Sequence, residues 1–303
     1  MSKKIVAIGG GENGRINSKG IKKPYETKEI DEEIVRISGK ENPNFLFMAH
    51  SQIPFGEEAE KNYYNVIKEI YKNLGCKVRW LKISELKEDI NKAKEDVEWA
   101  DIIYEGGGAT ELMINLWKET GFDIILKNAY ESGKVMCGIS AGAICWFNSG
   151  FTDDPKLVDA EVNRIYALDL IDAYFTPHCQ KEGKMDRVRN SLKYIDKVGI
   201  LLSNCVAIEI INDEYRIITT KPIEETFEPF AYKTYWDNGQ LIEEKINNKD
   251  FKSLDELLSR KWLIPNTQTA RVVSYLGNIP DTETRIEHLA LTLIQPIVRV
   301  SRF

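Results

Sequence analysis

Short apolar runs that end in glycine, serine or a polar residue recur along the first half of the chain: residues 4–10 (KIVAIGG), 44–51 (NFLFMAHS), 77–83 (KVRWLKI), 101–107 (DIIYEGG) and 134–139 (KVMCGI). Runs this short and this apolar fit strands covered on both faces of a parallel sheet. Between them the period lengthens. Residues 57–75 put Tyr64, Ile67, Ile70 and Tyr71 on one helical face, and residues 109–121 do the same with Leu112, Leu116 and Trp117. Strand alternating with helix predicts an α/β fold, a mostly parallel sheet between two layers of helices.

The pattern changes after Ser140. Residues 184–199 read as a helix, and residues 205–220 (CVAIEIINDEYRIITT) as a hairpin turning about Asn212 and Asp213, so the sheet is expected to end in antiparallel strands. No repeat or low-complexity linker divides residues 1–245, which read as one hydrolytic domain. Residues 246–303 turn charged and polar and do not join the sheet pattern; they are read as a C-terminal extension of uncertain origin.

Composition narrows the partners. The 303 residues are 43% apolar and 29% charged, enough to bury a sizeable core, and the net charge of -6 with signs interspersed leaves no basic stripe for nucleic acid. No run of eighteen apolar residues suggests a membrane span, and the start, MSKKIVAIGGG, reads as a first strand, not a leader. A cytoplasmic location is expected. The five cysteines, Cys76, Cys137, Cys145, Cys179 and Cys205, form an odd set without CxxC spacing, which suits reduced core thiols better than disulfides or zinc.

The stretch VMCGISAGAICWF, residues 135–147, sets Ser140 between Gly138 and Gly142 at the junction of two apolar runs. G-x-S-x-G after a buried strand matches a nucleophile elbow, in which a sharp strand-to-helix turn strains the serine and exposes its hydroxyl. The same turn aims the Ala141 N–H, at the start of the next helix, towards a developing oxyanion. A base is then required, and the chain offers three histidines. His50 ends the second strand, His288 lies in the extension, and His178 follows an apolar strand in FTPHC with a polar loop after it, so His178 is chosen.

Three segments in order, YEGGGATELM (104–113), CGISAGAICW (137–146) and FTPHCQ (175–180), resemble the dipeptidase E family of serine peptidases, relatives of cyanophycinase with the class I glutamine amidotransferase-like fold. The resemblance spans residues 3–245 and implies a serine-type dipeptidase or amide hydrolase with Ser140 as nucleophile, His178 as base, and Gly107 or Gly108 with Ala141 as the oxyanion hole. It also implies an acidic third member. Rough alignment favours Asp154, then Asp153, then Glu209, because another family position falls near Asn204, which is not acidic. Ala109 stands where the family's glycine turn usually carries Asn, which bears on substrate preference. The family further implies an acidic residue, often aspartate, on the acyl side of the substrate. Among Lys181, Lys184, Arg187 and Arg189, the two arginines are expected to meet it. No cofactor or metal is expected; the partner is a small peptide or amide, with a homodimer left open. Three other readings compete: an ammonia-producing amidotransferase, which needs cysteine at the elbow; a silent binding module on the same fold; and a Rossmann protein, for which GGGENGR lacks the G-x-G-x-x-G spacing.

Overall fold

The structure, a computed structural model, describes residues 2–16, 19–152 and 162–260, together with the backbone of 270–273. The expected strands form at Lys4–Ile8 (β1), Asn44–Met48 (β2), Lys77–Leu81 (β3), Ile102–Glu105 (β4) and Val135–Ile139 (β5). They are followed by Phe147–Phe151 (β6), Arg164–Tyr166 (β7), Ile171–Thr176 (β8), Gly199–Leu202 (β9), Val206–Ile211 (β10), Glu214–Thr219 (β11), Ala231–Asp237 (β12), Gln240–Lys245 (β13), Lys252–Ser253 (β14) and Ala270–Val273 (β15). The described helices are Lys28–Ile37 (α1), Glu57–Asn73 (α2), Ile83–Glu88 (α3), Ile90–Trp99 (α4), Thr110–Thr120 (α5), Phe122–Glu131 (α6), Ala141–Ile144 (α7), Lys184–Ser191 (α8) and Leu254–Leu258 (α9).

The first sheet runs β14-β11-β10-β1-β5-β4-β2-β3. Strands β1 to β5 pair in parallel with one another, and β10, β11 and β14 add the antiparallel edge that the hairpin predicted. Alternation assigns the faces: Val6 and Ile8 pack with α1 and α2, while Ile5 and Ala7 face the larger core that contains Trp117, Phe122 and Trp146. Central β5 is buried at every position, whereas Lys77 and Arg79 on β3 are exposed, as an edge strand requires.

A second sheet, β15-β13-β12-β9-β8-β6-β7, extends the sandwich. Ala173, Phe175, Ile200 and Leu202 face the large core shared with the first sheet, and Tyr174 and Leu201 face a smaller one with Val188 of α8. Beyond residue 245 the chain still contributes to this body. Leu254 and Leu257 of α9 are buried in the large core, β14 pairs with β11, and β15 pairs with β13. A strand of two residues has no readable period, so its join to the sheet leaves no trace in the pattern.

The two sheets are linked where the chain passes from one to the other. From β5 it runs through Ser140 and α7 to β6, and from β9 through Asn204 to β10. His178 follows β8, so these two of the crossings and this histidine meet at one end of the sheets. All five cysteines are buried and unpaired. No helix among the described residues is long and apolar enough to cross a membrane.

Candidate functional site

Ser140 leaves β5 with φ 57° and ψ -112°, a conformation that costs a non-glycine residue of order 1–3 kcal/mol. Its N–H donates to the Ile8 carbonyl at 3.0 Å, and its own carbonyl accepts from Ala143 and Ile144, each at 3.0 Å. The flanking glycines are required by contact. A Cβ on Gly142 would lie 2.0 Å from the Glu105 carbonyl oxygen, and one on Gly138 would lie 2.4 Å from that of Gly142. The helix that follows has only four residues, so its dipole is small and any help to an oxyanion comes from individual N–H groups.

His178 also has φ 57°, and its N–H is tied to the Gly9 carbonyl at 2.9 Å. Its ring joins two chain crossings: Nε2 lies 2.8 Å from Ser140 Oγ, and Nδ1 lies 2.7 Å from Asn204 Oδ1. An amide oxygen can only accept, so Nδ1 carries the proton and Nε2 keeps its lone pair for the serine hydroxyl. Asn204 is itself anchored, its N–H donating to Gln180 Oε1 at 2.9 Å. Gly10 passes over this pair so closely that a Cβ would meet Asn204 Oδ1 at 2.1 Å and His178 Nδ1 at 2.5 Å.

The glycine-rich turn after β4 lies beside the serine, since a Cβ on Gly107 would be 3.3 Å from Ser140 Cβ. The Gly107 N–H is taken, donating to the Tyr63 hydroxyl at 3.1 Å. The Gly108 N–H has no acceptor among the described residues, and Ala141 opens α7, where no intrahelical acceptor exists. Of the two glycines named from sequence, Gly108 is therefore the one with a donor to spare.

Ser140, His178, Asn204, Gly107 and Gly108 border one cleft of about 560 Å³, a size suited to a small molecule. Glu12, Arg15, Glu26, Lys181, Glu224 and Glu225 also line it. Arg15 is gripped by both oxygens of Glu12, at 2.8 and 3.2 Å. Burial pushes the Glu26 carboxyl up, but backbone N–H groups of Ile223, Glu12 and Glu224 outweigh it and hold the group below its ordinary value. These bonds tie Glu12 and residues 223–224 to the one carboxylate of Glu26.

The other residues singled out in the sequence lie elsewhere. Asp153 and Asp154 fall outside the described residues. Glu209 is buried on β10 and bound to Arg216 Nε at 2.6 Å. Neither arginine of α8 lines the cleft. Arg187 lies over the Phe151 ring at 5.6 Å, and Arg189 is committed to Glu243 at 2.8 Å and to Asp186 at 3.0 Å. His50 is fully buried, with Nδ1 accepting from Trp117 Nε1 at 2.8 Å and Nε2 directed to the Leu81 carbonyl at 3.1 Å.

Sequence reasoning passed over Asn204 because it sought a carboxylate, although orienting an imidazole needs only an acceptor. It also missed Tyr63, which the helical period places beside Tyr64 without distinguishing the two; a Cβ on Gly106 would lie 2.5 Å from its ring.

The sequence model of peptidase family S51 matches residues 5–218. An uncharacterized peptidase, YgaJ of Bacillus subtilis (strain 168), is 32% identical over 185 residues, 61% of this chain and 71% of that protein. Among solved structures, a peptidase from an acI-B1 Actinobacterium aligns with a TM-score of 0.64 at 17% identity, over 84% of this chain and 97% of its own. A putative peptidase E protein from Listeria monocytogenes EGD-e aligns at 0.52 with 18% identity, over 74% of this chain and all of its own.

Proposed function

The chain belongs to peptidase family S51 and is a serine-type peptidase, and from that premise we propose that Ser140 is its nucleophile, His178 its general base and Asn204 the residue that orients the base. One observation carries the reading: the unbroken chain Ser140 Oγ to His178 to Asn204, with links of 2.8 and 2.7 Å, bordering a cleft of small-molecule size. His178 Nε2 takes the hydroxyl proton as Ser140 Oγ bonds to the acyl carbon. The carbonyl oxygen, now negative, is met by the N–H groups of Ala141 and Gly108. The C–N bond then breaks, with the imidazolium returning its proton to the leaving amine. Water repeats the sequence to free the acid and restore Ser140.

The substrate is a small peptide with an acidic residue on its acyl side. Support comes from Lys181, which borders the cleft one turn beyond His178 and pairs with no carboxylate among the described residues, whereas Arg15 is already held by Glu12. We place the protein in the cytoplasm, where its five free, buried thiols would stay reduced. Assaying purified protein against a panel of dipeptides and isopeptides tests the reading. Turnover of Asp-X substrates that disappears in Ser140→Ala supports it, and turnover that survives the substitution refutes it.

A further inference from the structure

Glu105 ends β4 immediately before the glycine turn, and its side chain is fully buried. Oε1 accepts the Ser51 N–H at 3.1 Å, and Oε2 has no hydrogen-bonding partner among the described residues. Ser51 in turn holds the turn at two points: its hydroxyl donates to the Gly106 carbonyl at 3.1 Å, and its carbonyl accepts the Ala109 N–H at 2.8 Å. Its neighbour Gln52 donates to the Gly107 carbonyl. A Cβ on Gly108 would lie 2.3 Å from the Ser51 carbonyl oxygen, so the two segments touch at the residue proposed as an oxyanion donor. Glu105 thus sits beneath the turn that it begins and grips it through Ser51.

The surroundings supply no positive charge. The titratable groups that act on Glu105, or that it acts on, are Glu60 and Tyr63 on α2 and Cys145 at the end of α7; the backbone N–H groups of Ser51 and His50 and the Ser51 hydroxyl favour its charged form, and burial outweighs them. His50 is kept neutral, burial pushing its imidazole down to about 4. With no cation among these groups, a carboxylate in this position would be desolvated with only hydrogen bonds, and no opposite charge, to offset the cost.

We propose that Glu105 is a positioning residue that works as the neutral acid, holding Ser51 and through it the Gly106–Gly107–Gly108 turn in the geometry that stabilises the oxyanion. Ionisation of Glu105 would place an unpaired charge under the turn, loosen that geometry and stop turnover. Burial pushes the carboxyl up to about 8, which puts the change within reach of assay. The inference rests on the assignment of Ser140 as nucleophile.

The test is the pH dependence of kcat and KM between pH 6 and 10 for wild type, Glu105→Gln and Glu105→Ala. Near-UV circular dichroism is followed over the same range, and Ser140 labelling by a fluorophosphonate is measured at pH 7. Above a pH of about 8 the wild type should lose kcat by about tenfold per pH unit with KM little changed, while its dichroism stays native. Glu105→Ala should lower kcat at pH 7 by roughly 10- to 100-fold, and Glu105→Gln, which keeps the shape of the neutral acid, should recover most of that loss and remove the alkaline limb. A limb that persists in Glu105→Gln, a wild type without one, a Gln variant as impaired as the Ala variant, or loss of native dichroism along the limb would each overturn the proposal. Should Glu105→Ala fail to fold, the Gln variant and the pH profile still decide. A wild type that neither cleaves peptide nor takes up label refutes the nucleophile assignment and this inference together. A labelled, active wild type with any of the overturning profiles refutes this inference alone.

Discussion

His50 and His178 each stand just past the end of a parallel strand and each has both ring nitrogens engaged, yet their surroundings are opposite in kind. The partners of His50 are the Trp117 indole and the Leu81 carbonyl, groups that cannot react, and the ring has no solvent contact. Those of His178 are a serine hydroxyl in a strained turn and an amide oxygen, beside an open cleft. Strand-end position therefore does not make a histidine a base. What does is a lone pair aimed at a group that can lose a proton, with the other nitrogen fixed by an acceptor.

Substitutions should separate the two residues cleanly. Ser140→Ala and His178→Ala are expected to reduce kcat by about 10⁴-fold or more, because nucleophile and base act as a unit, with unfolding midpoints close to that of wild type. His50→Ala should do the reverse. Removing the imidazole leaves the Trp117 N–H and the Leu81 carbonyl unpaired beside a cavity, for a loss of about 3–5 kcal/mol in denaturant unfolding, while the folded fraction keeps most of its turnover. An inactive but fully stable His50→Ala would erase the contrast.

The pH dependence of stability sharpens it. Burial pushes the His50 imidazole down from 6.5 to about 4. Between those values the unfolded chain binds a proton that the folded chain does not, so stability is full above pH 6.5 and is lost as pH falls through about 4, by about 3 kcal/mol from this residue. Conservative replacement of His50 by Gln should flatten that slope. A slope unchanged in His50→Gln would mean that other groups carry it.

Asn204 should show a smaller, purely kinetic effect. Asn204→Ala is expected to lose roughly 10- to 100-fold in kcat, since the ring loses the acceptor that fixes its tautomer. Asn204→Asp should remain active and shift the acidic limb of the pH–rate profile upward, because a carboxylate favours the imidazolium. The smallest effect concerns selectivity. Lys181→Met should reduce the preference for Asp-Leu over Asn-Leu about tenfold, and Arg187→Met and Arg189→Met should leave the ratio unchanged. The opposite pattern would return recognition to α8.

The elbow and the parallel strands could be read from sequence because their signals are local. Gly138 and Gly142 flank Ser140 for contacts made with the end of β4, and a buried parallel strand is apolar at nearly every position. The second sheet was harder to see, since β7 has three residues and β9 four, too few for a period to show. Asn204 was hidden for a chemical reason: it was judged by charge, whereas the role proposed for it depends on where its oxygen points. Arg189 shows the converse difficulty: a basic helix face is visible in sequence, but the ion pair of Arg189 with Glu243, more than fifty residues away in sequence, is not.

The central claim, that Ser140 is a nucleophile activated by His178, is tested most directly by covalent labelling. Purified protein is treated with a fluorophosphonate at pH 7 and the adduct is located by peptide mass spectrometry. One adduct on Ser140, absent in Ser140→Ala and strongly slowed in His178→Ala, is the predicted result; an adduct at another residue, or labelling of Ser140 at an undiminished rate without His178, would contradict it.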